Sequence, residues 1–226
     1  MLVSRWLGSP LDYHQVLDLQ NDLVARRFAG GIPDTLLLLE HAPVYTIGRT
    51  RDQSSLRQGA RLPHPVVEIN RGGQATYHGP GQLVAYPIVD LRPQGKDLHA
   101  YLRMLEEALI LTLADYRIDA SRRGGMTGVW IGPRKIASLG VGVRKWIAMH
   151  GIALNVTPES LVPFEFITPC GIDGVSMSCL HDESDQRPGV PEVGERFTQH
   201  LRDALAGSAD WHERRSNKTD FNPPLS

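Results

Sequence analysis

Three strand-sized runs stand back to back in the middle of this chain, at residues 128–131, 135–143 and 146–156. Only Gly132-Pro133 and Arg144-Lys145 mark the breaks between them, and both are turn signals. No helix fits into gaps that short, so consecutive strands here pair antiparallel rather than through crossovers. Further strand signals fall at 2–7, 35–39, 44–47, 66–69 and 83–89. Helical spacing appears only between such groups. Residues 12–28 place Val16, Leu19, Leu23 and Val24 at helical steps before Gly30-Gly31. Residues 97–116 do the same with Leu98, Leu102, Leu105, Leu109 and Leu113, and Asp97 can cap that helix. A last helix is expected over 191–205. Clustered strands with helices between clusters predict an α+β fold with a mixed, largely antiparallel sheet flanked by helices.

One domain over residues 1–206 accommodates all of these elements, and the polar stretch 207–226 reads as a flexible tail. Residues 157–170 are irregular and proline-rich, with room for one helical turn. Lys and Arg total 24 against 25 Asp and Glu, so no basic excess points to nucleic acid. No stretch approaches the roughly 18 apolar residues of a membrane helix, and the N-terminus lacks a signal-peptide pattern. Two cysteines make a poor disulfide framework, so a cytoplasmic protein with reduced thiols is expected.

The densest chemical signal is the run Arg71-Gly72-Gly73-Gln74-Ala75-Thr76-Tyr77-His78-Gly79-Pro80-Gly81-Gln82. Its glycines let backbone approach a ligand closely, and its polar side chains stand beside that backbone. A plain connection between strands would be shorter and would need no arginine, tyrosine and histidine. The phosphate-loop spacing is absent, and no helix follows as a dinucleotide fingerprint requires.

Cys170 sits between Pro169 and Gly171 in a tight turn. It reads equally as a small buried residue or as a nucleophile, since thiolates attack thioesters readily. Cys179 has no such setting and reads as structural. Lys135 opens the second of the three central strands. It is either a solvated lysine after a turn or a cation able to lower a neighbouring thiol's pKa. His150 is a lone polar residue in an apolar run beside Gly151, which fits a satisfied core histidine or a site group. The histidines show no metal-ligand spacing, and no metal is expected.

Taken together, RGGQATYHGPGQLVAYPIVDL (71–91), GVWIGPRKIASLGVGV (128–143), HGIALNV (150–156) and ITPCGI (167–172) resemble the lipoyl(octanoyl) transferases. The resemblance runs from about Leu36 to Met177. It implies the fold of biotin and lipoate protein ligases, related to class II aminoacyl-tRNA synthetases and biotin synthetases. It also implies octanoyl transfer from octanoyl-acyl carrier protein to a lysine of lipoyl domains, in 2-oxoacid dehydrogenase E2 subunits and the glycine cleavage H protein. By the same resemblance Cys170 carries the acyl group and Lys135 stands beside it. Substrate contacts fall on Arg71, Gly72, Gly73, Gln74, Ala75, Thr76, Tyr77 and His78, on Ala137, Ser138 and Leu139, and on His150, Gly151 and Ile152. No cofactor is implied, because the donor brings its own phosphopantetheine. A monomer is expected.

The proton acceptor for the second half of such a reaction stays open between Lys135, His78 and His150. Arg122, Arg123, Arg134, Arg144 and Lys145 read as a docking patch for an acidic carrier protein or as scattered charge. The rival readings are an ATP-dependent lipoate or biotin ligase, amide-to-amide octanoyl transfer between lipoyl domains, and a non-catalytic module that binds lipoyl domains.

Overall fold

The computed structural model describes residues 1–48, 62–69, 74–168 and 174–207. Its main sheet has seven strands in the order β1-β2-β6-β10-β9-β8-β7. These are β1 (Leu2–Leu11), β2 (Asp34–His41), β6 (Gln82–Ile88), β7 (Ser121–Arg123), β8 (Met126–Ile131), β9 (Arg134–Arg144) and β10 (Ile147–Asn155). Only β1 and β2 run parallel; every other neighbouring pair is antiparallel. A small second sheet joins β4 (Val66–Glu68), β3 (Val44–Ile47) and β5 (Thr76–His78), in that order.

Helices cover both faces of the main sheet, which explains why its central strands read as unbroken apolar runs. Successive strand residues point to opposite faces. Leu36, Leu38, Leu83 and Ala85 therefore pack with Leu105, Leu109, Val193 and Phe197. Those partners belong to α2 (Leu98–Asp115) and α4 (Val190–Ala206); α3 (Leu180–Glu183) is a single turn between them. Leu37, Leu39, Val84 and Tyr86 face the other way, onto Val16, Leu23 and Val24 of α1 (Tyr13–Phe28). Asp12 caps α1 by accepting from the Gln15 N–H, and Asp97 caps α2 by accepting from the Ala100 N–H.

The α+β architecture and the three central antiparallel strands match the sequence reading. Two strands escape it, and a third is longer than expected. Strand β5 lies inside the glycine-rich segment, and β7 is wholly exposed and carries no apolar signal. Strand β1 continues past Gly8 to Leu11 through register shifts against β2, where Gly8-Ser9-Pro10 suggests a turn. Residues 158–166 form two 3-10 turns, Pro158–Ser160 and Val162–Phe166, rather than one helical turn. Helix α4 reaches Ala206, and most of the tail proposed for 207–226 lies outside the described residues. Among the described residues no helix is long and apolar enough to cross a membrane.

Candidate active site

The small sheet meets the main sheet at a cavity. Its floor is the β9–β10 pairing, in which Ser138 is opposite Ala153, Leu139 opposite Ile152 and Gly140 opposite Gly151. Two stretches separated in sequence are thus brought side by side by strand register. Thr76 and His78 of β5 form part of the wall, joined by Tyr13 of α1 and Tyr86 of β6. The alternation of β5 sorts its residues: Tyr77 turns away and packs with Tyr45 and Phe164, as does the neighbouring Ala75.

Seven of the residues predicted from sequence therefore line one cavity: Thr76, His78, Ser138, Leu139, His150, Gly151 and Ile152. Gln74, Ala75, Tyr77, Ala137 and Lys135 do not line it. Arg71, Gly72, Gly73 and Cys170 lie outside the described residues.

Close strand packing demands Gly151. A Cβ at that position would lie 2.2 Å from the Ala85 carbonyl oxygen of β6. The preceding residue, His150, adopts φ +57°, a left-handed backbone uncommon for a residue with a side chain. Its backbone N–H is turned out of the ladder and donates to Gln20 Oε1 at 2.8 Å. Gln20 is fully buried on the apolar face of α1. Thr76 adds a buried hydroxyl with no hydrogen-bond partner among the described residues, a group that a polar ligand atom would satisfy.

Lys135 is not the solvated lysine that a turn position suggests; only 1% of its surface is exposed. Charged lysine is rarely buried without compensation. Its ammonium lies 5.4 Å from the ring centroid of the buried Trp130, within cation–π range. Gly128, at φ +137°, leaves room for it: a Cβ there would meet Lys135 Cε at 2.5 Å. Gly128 is itself held through its N–H by the buried carboxylate of Glu106, at 3.0 Å. On the other side, the Lys135 N–H donates to Ser176 O and its carbonyl accepts from Ser178 N–H, both at 2.9 Å. Ser176 follows Cys170 by six residues in sequence.

Cys179 is fully buried, and desolvation pushes its thiol up to about 12, so it stays protonated and inert as the sequence suggests. The docking patch is not supported as a unit. Arg122 pairs with Glu107 at 2.5 Å and Arg134 with Glu183 at 2.9 Å, while Arg123 covers Trp130 and Lys145 covers Phe28.

The family model for the lipoyl protein ligase A/B catalytic domain matches residues 12–202. The octanoyltransferase of Geotalea uraniireducens is 51% identical over 84% of this chain and 89% of its own length. The chain belongs to the octanoyltransferase family. It is accordingly an acyltransferase. Solved structures extend the likeness at the level of fold. A lipoate-protein ligase A bound with ATP superposes with a TM-score of 0.67 at 17% identity, covering 91% of this chain and 85% of that one. The biotin protein ligase of Aquifex aeolicus, in complex with biotin and ATP, gives 0.54 at 14% identity over 91% and 71%. The biotin and lipoate ligase fold expected from the resemblance is therefore present.

Sequence reading missed Tyr13, Tyr86, Gly140 and Ala153 around the cavity, and assigned no site role to Gln20, Gln82 and Asn155 behind it. The last three carry a signal in retrospect. Each is an amide side chain on an otherwise apolar helix face or strand.

Proposed function

We propose that the chain performs its family's octanoyl transfer in two covalent steps. The Cys170 thiolate attacks the thioester of octanoyl-acyl carrier protein, displacing the phosphopantetheine thiol and forming an S-octanoyl enzyme. The amine of a lysine on a lipoyl domain then attacks that thioester, releasing Cys170 and leaving an octanoyl amide. Acceptors are lipoyl domains of 2-oxoacid dehydrogenase E2 subunits and of the glycine cleavage H protein. The reaction draws on thioester energy throughout, so it requires neither ATP nor a metal. Reduced thiols and carrier-bound acyl groups suit a cytoplasmic setting.

The observation that carries this reading is Lys135. A fully buried lysine, seated in space that Gly128 leaves open, is rare, and a cation fixed inside the protein is what tuning a neighbouring thiol needs. Its backbone is paired with Ser176 and Ser178, on the segment that follows Cys170 in sequence. Held beside the thiol, its positive charge favours the thiolate, and each unit of lowered pKa corresponds to about 1.4 kcal/mol. The neighbouring cavity supplies an apolar floor for the acyl chain at Leu139 and Ile152. Ser138, Thr76 and His150 stand around it as polar contacts.

Donor choice tests this reading against its rivals. The full chain is mixed with apo lipoyl domain and either octanoyl-acyl carrier protein or free octanoate plus ATP, and octanoyl-lysine is followed by mass. Transfer from the carrier thioester without ATP is expected. Transfer from free octanoate and ATP alone would make the chain a ligase on the same fold. A stable complex with the lipoyl domain and no transfer from either donor would make it a binding module.

A further inference from the structure

Behind His78 lies a chain of buried amides whose two ends are backbone carbonyls. Asn155 Nδ2 donates to the Ser178 carbonyl at 3.0 Å, which turns Asn155 Oδ1 toward Gln82. Gln82 Nε2 donates to that Oδ1 at 3.0 Å and to the Tyr77 carbonyl at 3.2 Å, which uses both of its N–H groups. Gln82 Oε1 is then left facing His78 Nδ1 at 2.8 Å. An amide oxygen only accepts, so Nδ1 must carry the proton and the neutral ring holds its lone pair on Nε2. The assignment does not depend on locating hydrogens, because backbone carbonyls cannot be flipped. His78, Gln82 and Asn155 are all buried, and Gln82 and Asn155 are directly opposite each other across β6 and β10. The chain ends at Ser178, whose N–H donates to the Lys135 carbonyl. His78 and Lys135 are thereby tied to one frame.

We propose that His78 is the base of the second half-reaction, and that Gln82 and Asn155 are positioning residues that set its tautomer. This rests on the S-octanoyl-Cys170 reading above. As the neutral acceptor amine attacks the thioester carbonyl, a C–N bond forms and the C–S bond breaks. The proton shed by the amine passes to His78 Nε2, and Cys170 departs as a thiolate. The imidazolium then returns that proton to the thiolate or to water. The assignment separates two roles that sequence leaves merged: Lys135 serves the thiol, and His78 serves the incoming amine.

The test measures the two halves separately in the full chain by rapid quench and intact mass. Loading is followed with octanoyl-acyl carrier protein, and discharge with apo lipoyl domain, across pH. His78→Asn keeps a donor for Gln82 and removes the base. Discharge slowed on the order of 100-fold, and slowed at least about tenfold more than loading, is expected, in line with general-base contributions. An ionisation should also vanish from the discharge pH profile, and added imidazole should restore discharge in His78→Ala. Gln82→Met, which leaves the ring in place with its tautomer unset, should displace that ionisation in the discharge profile. Discharge unchanged in His78→Asn, or equal slowing of both halves without imidazole rescue, would overturn the proposal. If His78→Asn does not fold, an unmoved pH profile in Gln82→Met overturns it alone. A wild-type enzyme that transfers octanoyl without ever loading would instead sink the two-step reading on which it rests.

Discussion

Single side chains are placed here by the space their neighbours give up. Lys135 is buried because Gly128 has no side chain, and the two are coupled by contact rather than by charge. Gly128→Ala should therefore act on activity chiefly through Lys135. We expect a loss of stability of about 1–3 kcal/mol from the strained φ and the clash, with acyl loading slowed at least about tenfold. The decisive comparison is a double-mutant cycle. In a Lys135→Ala background the same glycine substitution should cost little further activity, because the group it displaces is already gone. Independent, additive losses in loading rate would show that Gly128 does not act through the lysine.

Elements are joined by buried polar struts as well as by apolar faces. His41, on β2, bridges two of its neighbours: its Nδ1–H donates to the Leu11 carbonyl of β1 at 3.1 Å, and its Nε2 accepts from the Tyr86 hydroxyl of β6 at 2.8 Å. Desolvation lowers its pKa from the ordinary 6.5 to about 4, with the Leu11 hydrogen bond opposing. Between those values the unfolded chain binds the proton and the folded chain does not. Stability therefore rises with pH across that window and is lost as pH falls from about 6.5 toward 4, by roughly 3 kcal/mol at the limit. Urea unfolding of wild type and His41→Gln at both ends of the window checks this. The acid-induced loss should be smaller in the variant by that amount, and identical pH slopes would contradict it.

At the same scale, the legible elements were those whose residues alternate or recur with a physical period. The leucines of α2 and the β2 run announced themselves because both faces of the sheet are covered. Strand β7 did not, because an exposed edge strand of Ser121, Arg122 and Arg123 buries nothing and leaves no apolar trace. Strand β5 was hidden by its setting: three residues among glycines look like loop until Val44–Ile47 pairs with them.

For the whole molecule, the fold class could be read from how strands cluster, whereas the site could be read only in pieces. His78, Leu139 and His150 are far apart in sequence, and only the register of β9 on β10 beside β5 places them around one cavity. The burial of Lys135 was likewise invisible, since it depends on Gly128 and on a strand-like pairing with Ser176–Ser178. The amide chain behind His78 could not be inferred from spacing, because its members come from three separate segments. The proposed two-step acyl transfer through Cys170 would draw these features together. Intact mass of the full chain after brief mixing with octanoyl-acyl carrier protein tests it directly, with Cys170→Ala alongside. One octanoyl group should appear on the wild type, be absent from the variant, and disappear when apo lipoyl domain is added. Undiminished transfer by Cys170→Ala, or transfer by wild type with no adduct at any time, would contradict it.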